Sequence, residues 1–119
     1  EKVGQVAIPY MDPGEDKPHY DHVGLGKPVR IWRYGNFAVT RKHLGDRLGW
    51  WSNLYSHYAG DSHLSLLIHD VGYRVADLEG DAYIRHIRSQ DTTRRPENVD
   101  SRIFYQHWSK WIGPGKGGI

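Results

Sequence analysis

The amino-acid sequence predicts an α+β fold, an N-terminal arm and a β-hairpin followed by about three packed helices. Three observations predict it. Residues 29–40 alternate apolar and polar side chains around a Gly-Asn pair, as two paired strands do. Residues 62–79, and again 96–112, carry apolar side chains at the three-to-four spacing of a helix.

Taken in order, residues 1–28 hold four of the six prolines, Pro9, Pro13, Pro18 and Pro28, and so read as an irregular arm. Within it, Val6-Ala7-Ile8 is a candidate edge strand. Val29, Ile31 and Arg33 then alternate with Arg30, Trp32 and Tyr34, and Phe37-Ala38-Val39-Thr40 follows Gly35-Asn36. Both turn residues accept the positive φ of a tight hairpin turn. In residues 41–60, Leu44, Leu48, Trp51 and Tyr55 keep a helical spacing that Gly45 and Gly49 weaken, which predicts a broken helix or wrapped loop. Gly60-Asp61-Ser62 is a start signal, and Leu64, Leu67, Ile68, Val71, Val75 and Leu78 line one face of the helix that follows. Gly80-Asp81 marks its end and the start of a shorter helix through Tyr83, Ile84 and Ile87. Pro96 suits the first turn of a third helix carrying Ile103, Phe104, Trp108 and Trp111, which Gly113-Pro114-Gly115 stops. The expected organisation is an arm over 1–28, one α+β domain over 29–113 and a Gly-rich tail over 114–119.

At 119 residues the chain suffices for one hydrophobic core, and with five Trp and eight Tyr its burial leans on aromatic rings. No run approaches the roughly 20 apolar residues of a membrane span. The sequence starts at Glu1 with neither Met nor a signal-peptide pattern, as expected of a processed, trimmed or incompletely defined chain. Without cysteine there is no thiolate chemistry and no disulfide, so any metal must use His, carboxylate or carbonyl ligands. The net charge of +2, with basic residues scattered, gives no footprint for nucleic acid.

The one pattern with chemical content is His69-Asp70-x-x-Tyr73. On a continuous helix His69 and Tyr73 stand on one face a turn apart, while Asp70 projects about 100 degrees away. A carboxylate on one ring nitrogen would leave the other basic enough to deprotonate water, and Asp81, ahead of Asp77, is the expected partner. The same pattern also suits a core histidine satisfied by hydrogen bonds, the commoner case for a bare His-Asp pair.

The segment Leu66-Leu67-Ile68-His69-Asp70-Val71-Gly72-Tyr73-Arg74 resembles the helix motif of a mainly bacteriophage and prophage family, domain of unknown function 1353. The resemblance extends over about residues 29–113 and implies a β-rich first part, an Asp opening a second helix, here Asp81, and an aromatic last helix. His-Asp-x-x-Tyr is also similar to the active helix of phospholipase A2-like enzymes. That resemblance implies His69 as base, Asp70 as calcium ligand, and Tyr73 and Asp81 as its support. A calcium ion would polarise an ester carbonyl and stabilise the oxyanion. The implied function is calcium-dependent hydrolysis of a lipid or other cell-envelope ester. A metal-dependent phosphohydrolase would instead add His43 and Asp100. The alternative from another class is a virion-associated structural subunit, or a homo-oligomer, that binds neighbouring virion subunits through its arm and tail. The expected setting is a virion or the host cytoplasm.

Overall fold

The computed structural model describes residues 2–56, 58–87 and 97–113. In chain order its elements are β1 (Val3–Ala7), β2 (Tyr10–Met11), β3 (Asp21–Leu25), β4 (Arg30–Tyr34), β5 (Ala38–Thr40), α1 (Lys42–Leu48), α2 (Gly60–Asp70), β6 (Arg74–Asp77), β7 (Ile84–Arg85) and α3 (Glu97–Trp108). The fold is α+β, as the sequence predicts. No helix among the described residues is long and apolar enough to cross a membrane. The expected tail at 114–119 and the start of the last helix at Pro96 lie outside the described residues.

The arm is not irregular. It supplies β1, β2 and β3, and β1 is the middle strand of a three-stranded sheet. β1 pairs antiparallel with β5, Gln5 opposite Thr40, and parallel with β6, Val6 opposite Ala76. The prolines that argued against structure fall between strands: Pro9 separates β1 from β2, Pro13 and Pro18 lie between β2 and β3, and Pro28 lies in the loop before β4. They remove no ladder hydrogen bond there.

The hairpin exists one strand earlier than expected. β3 and β4 pair antiparallel across residues 26–29, with Val23 opposite Trp32. Gly35-Asn36 instead carries the chain from β4 to β5 in another sheet, and neither residue takes a positive φ. The short helix expected after Gly80-Asp81 is also corrected: Ile84 and Arg85 form β7, parallel to β2, with Tyr10 opposite Ile84. Residues 41–60 hold the broken segment expected: α1 ends at Leu48, and the described residues 49–56 and 58–59 before α2 form neither helix nor strand.

The predicted helix over 62–79 ends at Asp70, because Gly72 takes φ +93. The Gly72 amide donates to the His69 carbonyl at 2.9 Å and the Tyr73 amide to the Ile68 carbonyl at 3.1 Å. Those two bonds are a Schellman stop, with Tyr73 closing back over Ile68. The chain leaves as β6, so Val75 is buried from a strand rather than from the helix face.

α2 lies between two cores. Leu66, fully buried, belongs to the larger one with Val23, Leu25, Trp32, Tyr55, Phe104 and Trp108. Ile68, two residues on and so nearly opposite around the helix, belongs to the smaller one with Ala7 and Val75. Polar side chains on the same helix are satisfied internally: Ser65 Oγ donates to Gln5 Oε1 at 2.6 Å and accepts from the Gly35 amide at 3.0 Å. Gln5 Nε2 donates in turn to Thr40 Oγ1 at 2.8 Å, tying β1, β5 and α2 together.

Candidate functional site

Because α2 stops at Asp70, Tyr73 lies beyond the helix and does not share a helix face with His69. His69 points inward, 8% exposed, and its Nε2–H donates to the Arg33 carbonyl at 2.9 Å. A carbonyl only accepts, so the proton sits on Nε2 and Nδ1 keeps the lone pair. The imidazole meets the Trp32 ring edge-on at 5.0 Å. Burial lowers its pKa below the ordinary histidine value, against the pull of the Arg33 carbonyl, so the ring is neutral at neutral pH.

Asp70 is exposed and its Oδ1 accepts the Trp111 indole N–H at 2.7 Å. The group of potential metal ligands found among the described residues lies elsewhere, at Asp12, Glu15 and His19, and does not include Asp70. Tyr73 packs against the smaller core, with the Lys2 ammonium over its ring at 5.6 Å. Asp81 is exposed on the segment before β7. Asp77 pairs with the Arg33 guanidinium at 2.8 Å rather than with His69. Asp100 is buried where its oxygens accept the Ser56 and Tyr58 amides, at 3.1 and 2.7 Å, and His43 faces Tyr73 instead.

What the fold does gather is a polar cleft of about 420 Å³ between the β3–β4 hairpin, the start of α2 and α3. Its walls include Tyr10, Tyr34, Tyr58 and Tyr105, and two carboxylates, Asp21 and Asp61, face it. β3 brings Asp21; its Oδ2 accepts the Tyr10 hydroxyl at 2.7 Å. The left-handed Ala59, φ 72, turns the chain so that α2 begins at Gly60 and sets Asp61 in its first turn. The Asp61 Oδ1 accepts the Ser62 amide at 2.7 Å.

These environments push the groups in a chemically useful direction. Burial raises the Asp61 carboxyl above the usual aspartate value; the Ser62 amide opposes this and the charge of Asp21 reinforces it. Tyr34 is also raised, first by burial and then by the charges of Asp21 and Asp61. Tyr10 is raised by burial and by its bond to Asp21. The cleft therefore holds a carboxyl biased toward its protonated form, a second carboxylate held by a phenol, and tyrosines that remain donors. A carboxyl whose pKa is raised and a second carboxylate in one cleft can act as acid and base.

A buried hydrogen-bond cluster surrounds His63, next to Ser62 of the cleft. His63 Nδ1 accepts from the Tyr55 hydroxyl and the Trp108 indole N–H, both at 2.9 Å. Burial and the neighbouring His107 lower the His63 pKa to about 4.

Sequence reasoning missed the cleft because its walls come from residues 10, 21, 34, 61 and 105, on separate elements with no shared motif. The one local signal was Asp61 in a helix start, which reads as a cap. Comparison with protein-family models, curated proteins and solved structures finds no match to this chain. Its function has to be argued from the chemistry of its own site.

Proposed function

We propose that this chain is a hydrolase of cell-envelope material in which Asp61 is the proton donor and Asp21 the carboxylate that activates water. The observation that carries the reading is Asp61, a carboxyl raised by burial yet facing an open polar cleft that it shares with Asp21. A carboxyl whose pKa burial raises can protonate a leaving oxygen, and a second carboxylate in the same cleft can take a proton from water. Tyr10 holds Asp21 in place, and Tyr34, kept protonated, offers a further hydrogen bond to bound substrate. The envelope as target rests on the resemblance of Leu66–Arg74 to a phage-associated family. The acid-base assignment rests on the cleft. Asp70, whose Oδ1 accepts the Trp111 indole N–H, is given no part in this reading.

The test is hydrolysis of peptidoglycan-containing envelope fractions and of phospholipid vesicles by the wild type, Asp61→Asn and His69→Ala, each checked for fold by circular dichroism. Asp61→Asn is expected to lose about a hundredfold or more in rate. His69→Ala keeps its rate per folded molecule. Full activity in Asp61→Asn, loss confined to His69→Ala, or no hydrolysis of either material by the wild type would each reject the reading.

A further inference from the structure

The cleft does not end at Asp61. Asn36 and Asp61 also line a second depression of about 290 Å³, whose other walls include Thr40, Trp50, Trp51 and Leu64. The same two residues thus form the shared wall of both depressions.

The far side is a platform of two tryptophans that stay outside the cores, 41% and 51% exposed. Each indole is nevertheless seated. A Cβ on Gly45 would overlap the ring of Trp50, and one on Gly60 would overlap the ring of Trp51, so each ring rests on a glycine. The Trp50 N–H is also fixed to Asp46 Oδ1 at 2.8 Å. Trp50 has a left-handed backbone, φ 52, which costs about 1–2 kcal/mol for a residue with a side chain. Two exposed indoles held by glycines, one of them on a strained backbone, are poorly explained by stability alone.

Resting on the hydrolase reading above, we propose that the two depressions are one groove that takes a polysaccharide chain lengthwise, with sugar rings stacked on Trp50 and Trp51 on one side of Asp61 and among the cleft tyrosines on the other. The chemistry of the walls selects this ligand. Flat indole and phenol faces take the C–H face of a pyranose ring, while Asn36, Thr40, Asp21 and Asp61 offer hydrogen-bonding groups for hydroxyls. The Asp21 carboxylate in the groove, with no Lys or Arg among the described lining residues, disfavours phosphate-rich ligands such as phospholipid and nucleic acid.

The bond cleaved is then glycosidic. The Asp61 proton passes to the bridging oxygen as the bond from that oxygen to the anomeric carbon breaks, and the electron pair leaves with the oxygen. A water oxygen bonds to the anomeric carbon, and its proton goes to the Asp21 carboxylate. Exchange with solvent returns a proton to Asp61 and removes one from Asp21.

Binding tests this separately from turnover. Asp61→Asn in the full chain is titrated with chitohexaose, with chitobiose and with phosphatidylglycerol vesicles, following tryptophan fluorescence and heat. Chitohexaose is expected to bind at least about tenfold tighter than chitobiose, and Trp51→Ala, added to Asp61→Asn, to abolish that difference. Trp51→Phe, which keeps a flat ring, restores most of it and guards against a folding defect. Absence of chitohexaose binding, equal affinity for the two lengths, indifference to Trp51→Ala, or binding of the vesicles instead overturns the groove. Envelope hydrolysis by the wild type combined with no chitohexaose binding would leave the hydrolase standing and remove the polysaccharide.

Discussion

Asp61 and His69 are both titratable groups on α2, yet their substitutions are expected to act in opposite directions. The folded pKa of Asp61 is raised, so its stabilising contribution is present below the unfolded value of 3.8 and is lost as pH rises through the folded one. At pH 7 Asp61→Asn therefore raises the melting temperature relative to wild type, and calorimetry below that unfolded value finds the difference gone. His69→Ala removes a ring packed on Trp32 and leaves the Arg33 carbonyl without its donor. A loss of about 2–4 kcal/mol in urea unfolding follows. The sequence brought His69 into view because a His-Asp pair on an apolar helix is conspicuous. It could not show the Arg33 carbonyl that accepts from its Nε2–H, because that partner comes from β4.

At the scale of elements, the joint between the β1 sheet and α2 is closely packed. A Cβ on Gly4 would lie 2.7 Å from Leu44 Cδ1, 2.9 Å from Ile68 Cγ2 and 3.0 Å from Tyr73 Cβ. Three elements meet there with no room for a methyl group. Gly4→Ala is expected to cost about 1–3 kcal/mol by forcing them apart, read as a lower urea midpoint with an unchanged m value. The stop of α2 was legible, since Gly72 is the residue type that ends a helix in the left-handed conformation. Apolar spacing through Val75 and Leu78 concealed it, because a strand following a helix directly can keep residues buried at intervals that imitate a longer helix. Residues 80–87 misled for a related reason. Too short to carry a clear period, they became β7 because Ile84 and His86 donate their amides to the Pro9 and Met11 carbonyls.

For the whole molecule, acid is the informative perturbation. The folded pKa values of His63 and His69 are both depressed, so their contribution is complete above the ordinary value of 6.5 and falls away below it. For His63 the loss runs from pH 6.5 down to about 4, and amounts to about 3 kcal/mol at 1.36 kcal/mol per unit. Protonating Nδ1 would remove the acceptor shared by Tyr55 and Trp108, inside the larger core. Urea unfolding at pH 7 and at pH 4.5 is expected to show this decrease, and His63→Gln to flatten it. By itself the sequence determined the α+β class, the broken segment after residue 41, the start of α2 and the presence of an aromatic last helix. Those features follow from side-chain period, glycine and capping residues, which act over a few neighbouring positions. Only the tertiary structure decided that the arm supplies the middle strand of a sheet and that β4 pairs backward with β3. It alone set His69 inside the fold and brought Tyr10, Asp21, Asp61 and Tyr105 to one cleft. Strand partners and burial are settled by contacts between residues far apart in the chain, where several pairings suit the same local pattern and only the packed whole selects one.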